Sequence, residues 1–354
     1  MAGNTGTDVA IAGAGIIGLS LGIELLERGL SVTVMDRGRA MGAASSAAGG
    51  MLAVHDPQNP PELMPLAVRS GELYPAFLER IERLSAVPVP VRTRWAMQHV
   101  ARPRPDARLA GAAEIAAFAP GLQAGETIYE WLEEGSVDPK DLQSALPKAF
   151  TAAGGLLLEQ TAVERVEPGE AVRVLTSAGH VSAGEFVDCC GSWAGQATLG
   201  LERLPVFPVK GQMANLRCAS ERLRCVVRAP GIYMIPRGDG RVTVGSTIEH
   251  SGFDESVEER VILRIAAAAQ SLVPEMEIPA EMERWAGLRP GTPDQLPVLG
   301  AGEGKHCWHA AGHYRDGILL APVTARVMAQ AITGERPDVA LDAYSPSRFA
   351  AARG

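Results

Sequence analysis

The sequence predicts an α/β protein in which a domain with a parallel sheet carries an inserted domain with an antiparallel sheet. Three observations predict this arrangement. The first 36 residues have the pattern of one strand–helix–strand unit, and an apolar strand followed by glycine returns near residues 185–191 and 307–312. Between these returns, residues 206–247 have the pattern of short strands separated by turns. Parallel strands need long crossovers, whereas short strands with tight turns are typical of antiparallel sheets.

The N-terminal unit carries the most specific motif of the chain. An apolar strand over residues 9–12 is followed by Gly13-Ala14-Gly15-Ile16-Ile17-Gly18, by a helical pattern that stops at Gly29, and by a β-branched strand that ends on Asp36. This order of glycines between strand and helix predicts a Rossmann-like dinucleotide site.

Each residue of the motif has a physical role in such a site. Gly13 permits the tight turn, Gly15 lets a pyrophosphate approach the backbone, and Gly18 lets the helix pack closely on the strand. The helix N-terminus offers N–H groups and a partial positive charge to the anion. Asp36 can accept hydrogen bonds from a ribose and would repel a 2′-phosphate, which disfavours NADP.

The residues after Asp36 favour FAD over NAD. An NAD domain would continue with regular strand–helix repeats, but residues 37–52 are small, polar and rich in glycine. Such a run suits a backbone that passes against a large flat cofactor, although the run alone fits a flexible surface loop equally well. Two later glycine corners, at Gly191 and Gly312, supply the additional contacts that a cofactor as long as FAD requires.

The remaining elements follow from hydrophobic spacing. The spacing of apolar residues predicts three helices in the middle of the chain and one near its end, and β-branched or apolar runs predict the strands between them. The predicted helices cover residues 66–84, 138–153, 256–271 and 317–332. The predicted strands are edge segments within 87–105, several strands within 206–247, and the segments 156–158, 162–163, 172–175, 185–188 and 307–311.

Composition excludes several classes of protein. The 354 residues include 33 Lys+Arg and 41 Asp+Glu, for a net charge of -8, which argues against nucleic acid as a partner. The 5 cysteines lack zinc-site spacing and are an odd number, which favours a reducing, cytoplasmic compartment. No stretch is long and apolar enough to predict a membrane span. His309 and His313 have the i,i+4 spacing of some zinc motifs, but Gly312 lies between them and no helix is predicted there, so we predict no metal site.

Four segments together resemble the D-amino acid oxidase family, and within it the glycine oxidases of thiamine biosynthesis. They are the N-terminal glycine motif, the run over residues 43–52, Trp285-Ala286-Gly287-Leu288-Arg289-Pro290-Gly291, and Gly312-His313-Tyr314-Arg315-Asp316-Gly317-Ile318. The resemblance covers essentially the whole chain. It implies non-covalent FAD and oxidative deamination of glycine, or of sarcosine or a small D-amino acid, to the imine and 2-oxo acid, with O2 reduced to H2O2.

The resemblance also implies the residues of the site and the division into domains. Arg289 would hold the substrate carboxylate, Tyr233 would hydrogen-bond it, and Arg315 would lie at the edge of the site. The expected cofactor residues are Gly13, Gly15, Ile16, Ile17, Gly18, Asp36, Arg37, Ala44, Ser45, Ser46, Gly49, Gly50, Met51, Leu52, Val163, Cys190, Gly191, Trp193, Arg289, His313, Arg315, Gly317, Ile318 and Leu319. The expected FAD domain comprises residues 1–85, 138–205 and 286–354, and the expected substrate domain comprises 86–137 and 206–285.

The chemistry of these residues is consistent with that role. A guanidinium such as that of Arg289 can bind a carboxylate through two parallel hydrogen bonds, a geometry that lysine lacks. Hydride transfer from a neutral amine to a flavin needs no protein base. We expect a homo-oligomer without integral membrane contact. Two alternatives stay open: a dehydrogenase that passes electrons to a quinone or carrier, and an inactive flavin-binding module that serves in an assembly.

Overall fold

The computed structural model describes residues 5–194, 196 and 200–353. Of the expected domains, residues 1–4, 195, 197–199 and 354 lie outside the described part of the chain. The strands are β1 (Thr5–Ala12), β2 (Val32–Met35), β3 (Val91–Thr93), β4 (Ala96–His99), β5 (Tyr129–Leu132), β6 (Ser136–Val137), β7 (Leu156–Leu158), β8 (Val163–Glu167), β9 (Val172–Thr176), β10 (Gly179–Asp188), β11 (Phe207–Arg217), β12 (Val226–Ala229), β13 (Ile232–Pro236), β14 (Arg241–Gly245), β15 (Arg284–Gly291), β16 (Val298–Ala301) and β17 (Cys307–Ala311). The α-helices are α1 (Ile16–Leu26), α2 (Ala44–Ala47), α3 (Met64–Ser85), α4 (Ala112–Phe118), α5 (Pro139–Ala152), α6 (Glu259–Leu272) and α7 (Gly317–Ile332).

The first sheet has eight strands and is parallel at its centre. Its main order is β16-β17-β10-β1-β2-β7, and β9 joins β10 on one side and β8 on the other. The pairs β10–β1, β1–β2, β2–β7 and β10–β17 are parallel, so the carboxyl ends of these strands meet at one edge. That edge is where ligands bind in open α/β sheets.

Helices α1, α3, α5 and α7 pack together beside this sheet and share one apolar core with it. Helix α1 buries nine of its eleven residues, because it lies between the sheet and its helical neighbours. The one acidic side chain among them, Glu24, is paired with Arg28 at 2.7 Å and with Arg80 at 2.6 Å. The helix is therefore apolar around nearly its whole circumference without leaving a buried charge alone.

The second sheet has seven strands in the order β15-β11-β14-β13-β12-β4-β5. Its pairs are antiparallel except β12–β4, which is parallel. Helix α6 packs on this sheet and buries its apolar stripe of Val261, Ile262, Ile265, Ala266 and Ala269. The predicted fold class, a parallel-sheet domain with an inserted antiparallel sheet, is confirmed.

The structure adds elements that the sequence did not predict. Strand β5 joins the second sheet, β16 extends the first sheet, and β6 pairs with β3, which lies within the predicted edge segments of residues 87–105, to form a small separate sheet. The segment around Arg289 belongs to β15, which pairs with β11 along its whole length. The expected domain boundary between residues 285 and 286 therefore falls inside a strand of the second sheet. No helix in the described ranges combines the length and apolar character needed to cross a membrane.

Candidate active site

A cavity of about 900 Å³ lies where the carboxyl edge of the first sheet faces the second sheet. Its wall brings together segments from the beginning, middle and end of the chain. Of the predicted residues, those that line it are Gly13, Gly15, Ile16, Ile17, Asp36, Arg37, Ala44, Ser45, Gly49, Gly50, Met51, Val163, Cys190, Gly191, Trp193, Tyr233, Arg289, His313, Arg315, Gly317 and Ile318.

Four predicted cofactor residues do not line the cavity. Gly18 lies behind the turn, where a Cβ would strike the carbonyl of Gly13, so its place is at the helix–strand contact. Leu52 and Leu319 are buried in the apolar core. The hydroxyl of Ser46 donates to the Ala43 carbonyl at 3.1 Å. Their side chains serve packing and local hydrogen bonding in this structure.

The glycine motif forms a tight turn at one end of the cavity. Gly13 has φ 103, and a Cβ there would collide with the Cys189 carbonyl of the neighbouring strand. Gly15 precedes α1 and has no side chain to cap it, and the amide of Ile16 donates to Ser45 Oγ at 3.0 Å. This helix N-terminus faces the cavity and fits an anionic group such as a pyrophosphate.

Asp36 is held in place by the backbone around it. Its Oδ2 accepts from the Ala14 amide at 2.8 Å, and its Oδ1 accepts from the Gly38 amide at 2.8 Å. Each carboxylate oxygen can accept more than one hydrogen bond, so the group retains acceptor capacity toward a ribose. The two backbone contacts fix the orientation of the Asp36 carboxylate.

An aromatic and thiol wall continues from the dinucleotide end. The guanidinium of Arg37 stacks over the ring of Trp193 at 3.9 Å, and Trp193 stacks on Phe253 with ring centroids 5.4 Å apart. Burial raises the pKa of the Cys190 thiol, so this side chain is a neutral, apolar part of the wall. The wall thus offers an aromatic and thiol surface to the cavity, with the charged Arg37 guanidinium stacked on it.

The run over residues 43–52 contains α2 and then lines the cavity as irregular backbone, with Gly50 at φ 76. Arg237 anchors it: Nη2 donates to the Gly49 carbonyl and Nη1 to the Val137 carbonyl, each at 2.9 Å. Trp285 adds a hydrogen bond from Nε1 to the Ala47 carbonyl at 3.1 Å. The sequence prediction missed Arg237; its only signal was the turn that follows β13.

The third glycine corner leads into α7. Burial lowers the pKa of His313 to about 3, so its imidazole is neutral, and Nε2 lies 3.0 Å from Thr324 Oγ1. Gly317 and Ile318 line the cavity at the start of this long helix. The positive end of the helix dipole therefore points at the cavity and would stabilise negative charge there. Burial raises the pKa of the neighbouring Asp316 to about 6.

Arg289 projects from β15 into the same cavity. Nη1 donates to the Thr247 carbonyl at 3.1 Å and Nη2 to Ser246 Oγ at 2.5 Å. Both acceptors are neutral, and no carboxylate in the described ranges pairs with this guanidinium at salt-bridge distance. Tyr233 lines the cavity from β13, which β11 and β14 separate from β15 in the sheet, and its hydroxyl lies 3.4 Å from Met213 Sδ. Arg289 thus offers an unneutralised positive charge to a ligand.

Arg315 lies at the edge of the cavity, where it is bonded to a neighbouring loop. Its Nη1 donates to Gln58 Oε1 at 2.6 Å and its Nη2 to Asn59 Oδ1 at 3.0 Å. These bonds tie the last motif to the loop after residue 52 and use two of the five N–H donors of the guanidinium. Nε has no hydrogen-bond partner among the described residues, so Arg315 keeps donors at the cavity edge.

His309 lies away from this cavity in a cluster of its own. Its Nδ1 is 3.5 Å from Asp188 Oδ2 and its Nε2 is 2.9 Å from Glu202 Oε1. Burial disfavours the charged imidazole, but the two carboxylates outweigh that effect and raise the pKa of His309 to about 9. Within the part of the chain that the structure describes, no group of three His, Cys, Asp or Glu side chains is arranged for a metal ion.

Comparison with known proteins decides the family. The sequence model described as "FAD dependent oxidoreductase" (DAO) matches residues 8–331. The chain belongs to this family. The chain is also similar to the glycine oxidase of Pseudomonas aeruginosa, with 35% identity over 96% of this chain and 98% of that protein. It is 36% identical to the bifunctional protein ThiO/ThiG of Synechocystis, over 98% of this chain but 54% of that protein.

The fold comparison agrees with the sequence comparison. The crystal structure of glycine oxidase from Geobacillus kaustophilus superposes with a TM-score of 0.89 and 29% identity, covering 97% of this chain and 99% of that one. The resemblance to the D-amino acid oxidase family is confirmed, and so are the predictions of an enzyme and of FAD as its cofactor. In this DAO family member FAD would be held by the glycine motif, the wall around Trp193 and the corner before α7, which line the same cavity.

Proposed function

We propose that this family member oxidises glycine or another small amino acid, such as sarcosine or a small D-amino acid, and reduces O2 to H2O2. The observation that carries the proposal is Arg289, whose guanidinium faces the cavity and pairs with no carboxylate among the described residues. Arg289 is half-buried, and a partly desolvated guanidinium without a counter-ion favours a ligand carboxylate as its partner.

In this proposal Arg289 and Tyr233 orient the substrate, and Arg315 closes the edge of the cavity. The two terminal nitrogens of Arg289 bind the carboxylate, and the hydroxyl of Tyr233 donates to the same group. Held at that end, the substrate would present its Cα–H toward the cofactor side of the cavity, and FAD bound there would supply the hydride acceptor. No base is assigned, because the neutral His313 is bonded to Thr324 and the remaining wall supplies no imidazole.

Small substrates fit the structure near Tyr233. A Cβ at Gly49 would lie 2.9 Å from Ile235 Cδ1 and 3.7 Å from the Tyr233 hydroxyl, so the backbone of this run lies close to the substrate wall. Three wider statements also stay proposals: the domain division given above, a homo-oligomer in the cytoplasm, and a role in thiamine biosynthesis. The match to about half of a ThiO/ThiG protein supports the last of these.

The test is anaerobic reduction of the purified FAD-bound protein by glycine, sarcosine, D-alanine and D-proline, followed by admission of oxygen. We expect bleaching of the flavin absorbance by at least one amine and stoichiometric H2O2 on reoxidation. Bleaching with dye reduction but little oxygen consumption would select the dehydrogenase that passes electrons to a quinone or carrier. No bleaching with any of the four amines would overturn the proposal.

A further inference from the structure

Arg228 is a buried arginine in the wall of the active-site cavity that the proposed chemistry does not use. It lies in β12, is 6% exposed and lines the cavity together with Gln98. Its Nη2 donates to Glu134, but Nε and Nη1 have no hydrogen-bond partner among the described residues. The Oε1 atom of Gln98, itself 5% exposed, has no partner there either.

The strand register places these two residues beside Tyr233. Arg228 is opposite Tyr233 in the β12–β13 pair and opposite Gln98 in the β12–β4 pair. Side chains that are directly opposite on neighbouring strands have Cβ atoms about 5 Å apart and share one face of the sheet. Gln98, Arg228 and Tyr233 therefore form a continuous row along the wall.

The row leads back to Arg289. Tyr233 is opposite Gly245 in the β13–β14 pair, and Ser246, the next residue, accepts the hydrogen bond from Arg289 Nη2. Neighbouring strands lie about 4.8 Å apart. Arg228 in β12 is therefore two strand spacings from the end of β14, where Ser246 lies. Arg289 and Arg228 line the same cavity, so a ligand held by Arg289 would extend along this row toward Arg228.

A purely structural role does not account for the contacts of Arg228. Glu134 is fixed twice, since Oε1 accepts from the His55 amide at 2.6 Å and Oε2 from Arg228. Burial opposes ionisation of Glu134, but the charge of Arg228 and the contacts of His55 hold its pKa below the usual range. The ion pair between Arg228 and Glu134 therefore uses only one nitrogen of the guanidinium, Nη2. Asp56 Oδ2 stays 4.0 Å from Nη1, beyond hydrogen-bond range.

We infer that Arg228 and Gln98 form a second polar subsite, which takes the distal carboxylate of a substrate amine that carries two carboxyl groups. This inference rests on the proposed function, because Arg289 must hold the first carboxylate. The substrate class comprises N-carboxymethyl amino acids and acidic D-amino acids. The free Arg228 nitrogens supply charge-assisted donors to the distal carboxylate. One N–H of Gln98 Nε2 donates to the His99 carbonyl at 2.8 Å, and the second N–H is the donor that Gln98 can add, since its Oε1 only accepts.

The test compares substrates that differ at the distal group alone. Iminodiacetate is paired with sarcosine, and D-aspartate with D-asparagine, and kcat/KM is measured by peroxide release and by anaerobic flavin bleaching. For Arg228→Met we expect kcat/KM for iminodiacetate and D-aspartate to fall about 10- to 100-fold further than for their partners. The matched control is Arg264→Met, which replaces an exposed arginine on α6. It should leave two ratios of kcat/KM at the wild-type value: iminodiacetate over sarcosine, and D-aspartate over D-asparagine.

Two further variants keep the inference testable if Arg228→Met fails to fold. Arg228→Met combined with Glu134→Gln removes the buried lone carboxylate, and Gln98→Met leaves the ion pair intact. Either variant should shift the same ratios, by a smaller factor for Gln98→Met. If monocarboxylic amines bleach the flavin but the ratios stay unchanged in every variant, the second subsite is refuted and the proposed function stands. If none of these amines bleaches the flavin, both the second subsite and the proposed function are refuted.

Discussion

Gly211→Ala should disable Arg289 without changing any residue in the proposed substrate contacts. Gly211 lies in β11 under the guanidinium of Arg289. A Cβ at this position would lie 2.5 Å from Arg289 Cζ and nearer still to both terminal nitrogens. Carbon contacts are comfortable at about 3.5–4 Å, so the guanidinium must move by about 1 Å.

A displacement of that size has a large kinetic consequence. Misplacing a positioning group by about 1 Å can lower the rate by about 100-fold, because orientation supplies much of the catalytic effect. The hydrogen bonds of Arg289 to Ser246 and Thr247 also weaken when the fork moves. We therefore expect kcat/KM for the best monocarboxylic amine to fall about 100-fold, while the protein still binds FAD.

The assay is flavin bleaching and peroxide release by the purified holoenzyme. Gly6→Ala in β1 is the control, since a Cβ there meets nothing within 4 Å; it should retain wild-type kinetics. Flavin content and melting temperature confirm that each variant is folded. A Gly211→Ala enzyme that binds FAD and keeps kcat/KM within twofold of the wild type would refute the assignment of Arg289 to substrate binding.

Three other predictions follow from the same structure. Arg289→Lys keeps the charge but loses the planar fork, so kcat/KM should fall at least about 100-fold with flavin still bound; equal kinetics would contradict bidentate binding. Gly13→Ala should lower the flavin content of the purified protein. Gly29→Ala is the control, because Gly29 also has a positive φ but a Cβ there would meet no atom within 4 Å, so this variant should keep its flavin. Equal flavin loss in both variants would show that backbone strain alone is responsible. His309 has its pKa raised to about 9 from 6.5, so its stabilising effect is complete below pH 6.5 and is lost as pH rises through 9. Urea titrations give the free energy of unfolding of the wild type and of His309→Gln at each pH. The difference between the two should decrease by roughly 3 kcal/mol as pH rises from 6.5 through 9. A difference that stays constant with pH would contradict the charged cluster.

The sequence predicted those parts of the molecule that depend on local patterns. The turn at Gly13, the helix after it and the strand that ends on Asp36 occupy one short stretch, and each element has a local signal. The helix predicted over residues 256–271 is found at Glu259–Leu272 for the same reason. Local periodicity and turn chemistry are therefore sufficient for these elements.

The sequence did not predict the residues whose role depends on strand register. Arg237 holds the Gly49 carbonyl from 188 positions away, and Arg228 becomes a neighbour of Gln98 through a parallel pair between β12 and β4. Neither contact has a local signal, because both arise only when the second sheet is assembled. The engagement of Arg315 with Gln58 and Asn59 is a contact of the same kind.

The cavity wall includes both Gly13 and Ile318, which are separated by most of the chain. During synthesis the ribosome releases the glycine turn long before the last helix, so the pocket does not yet exist when the first strand–helix unit can already form. We therefore expect stable FAD binding only after the last helix has been translated. A product truncated before that helix should be colourless.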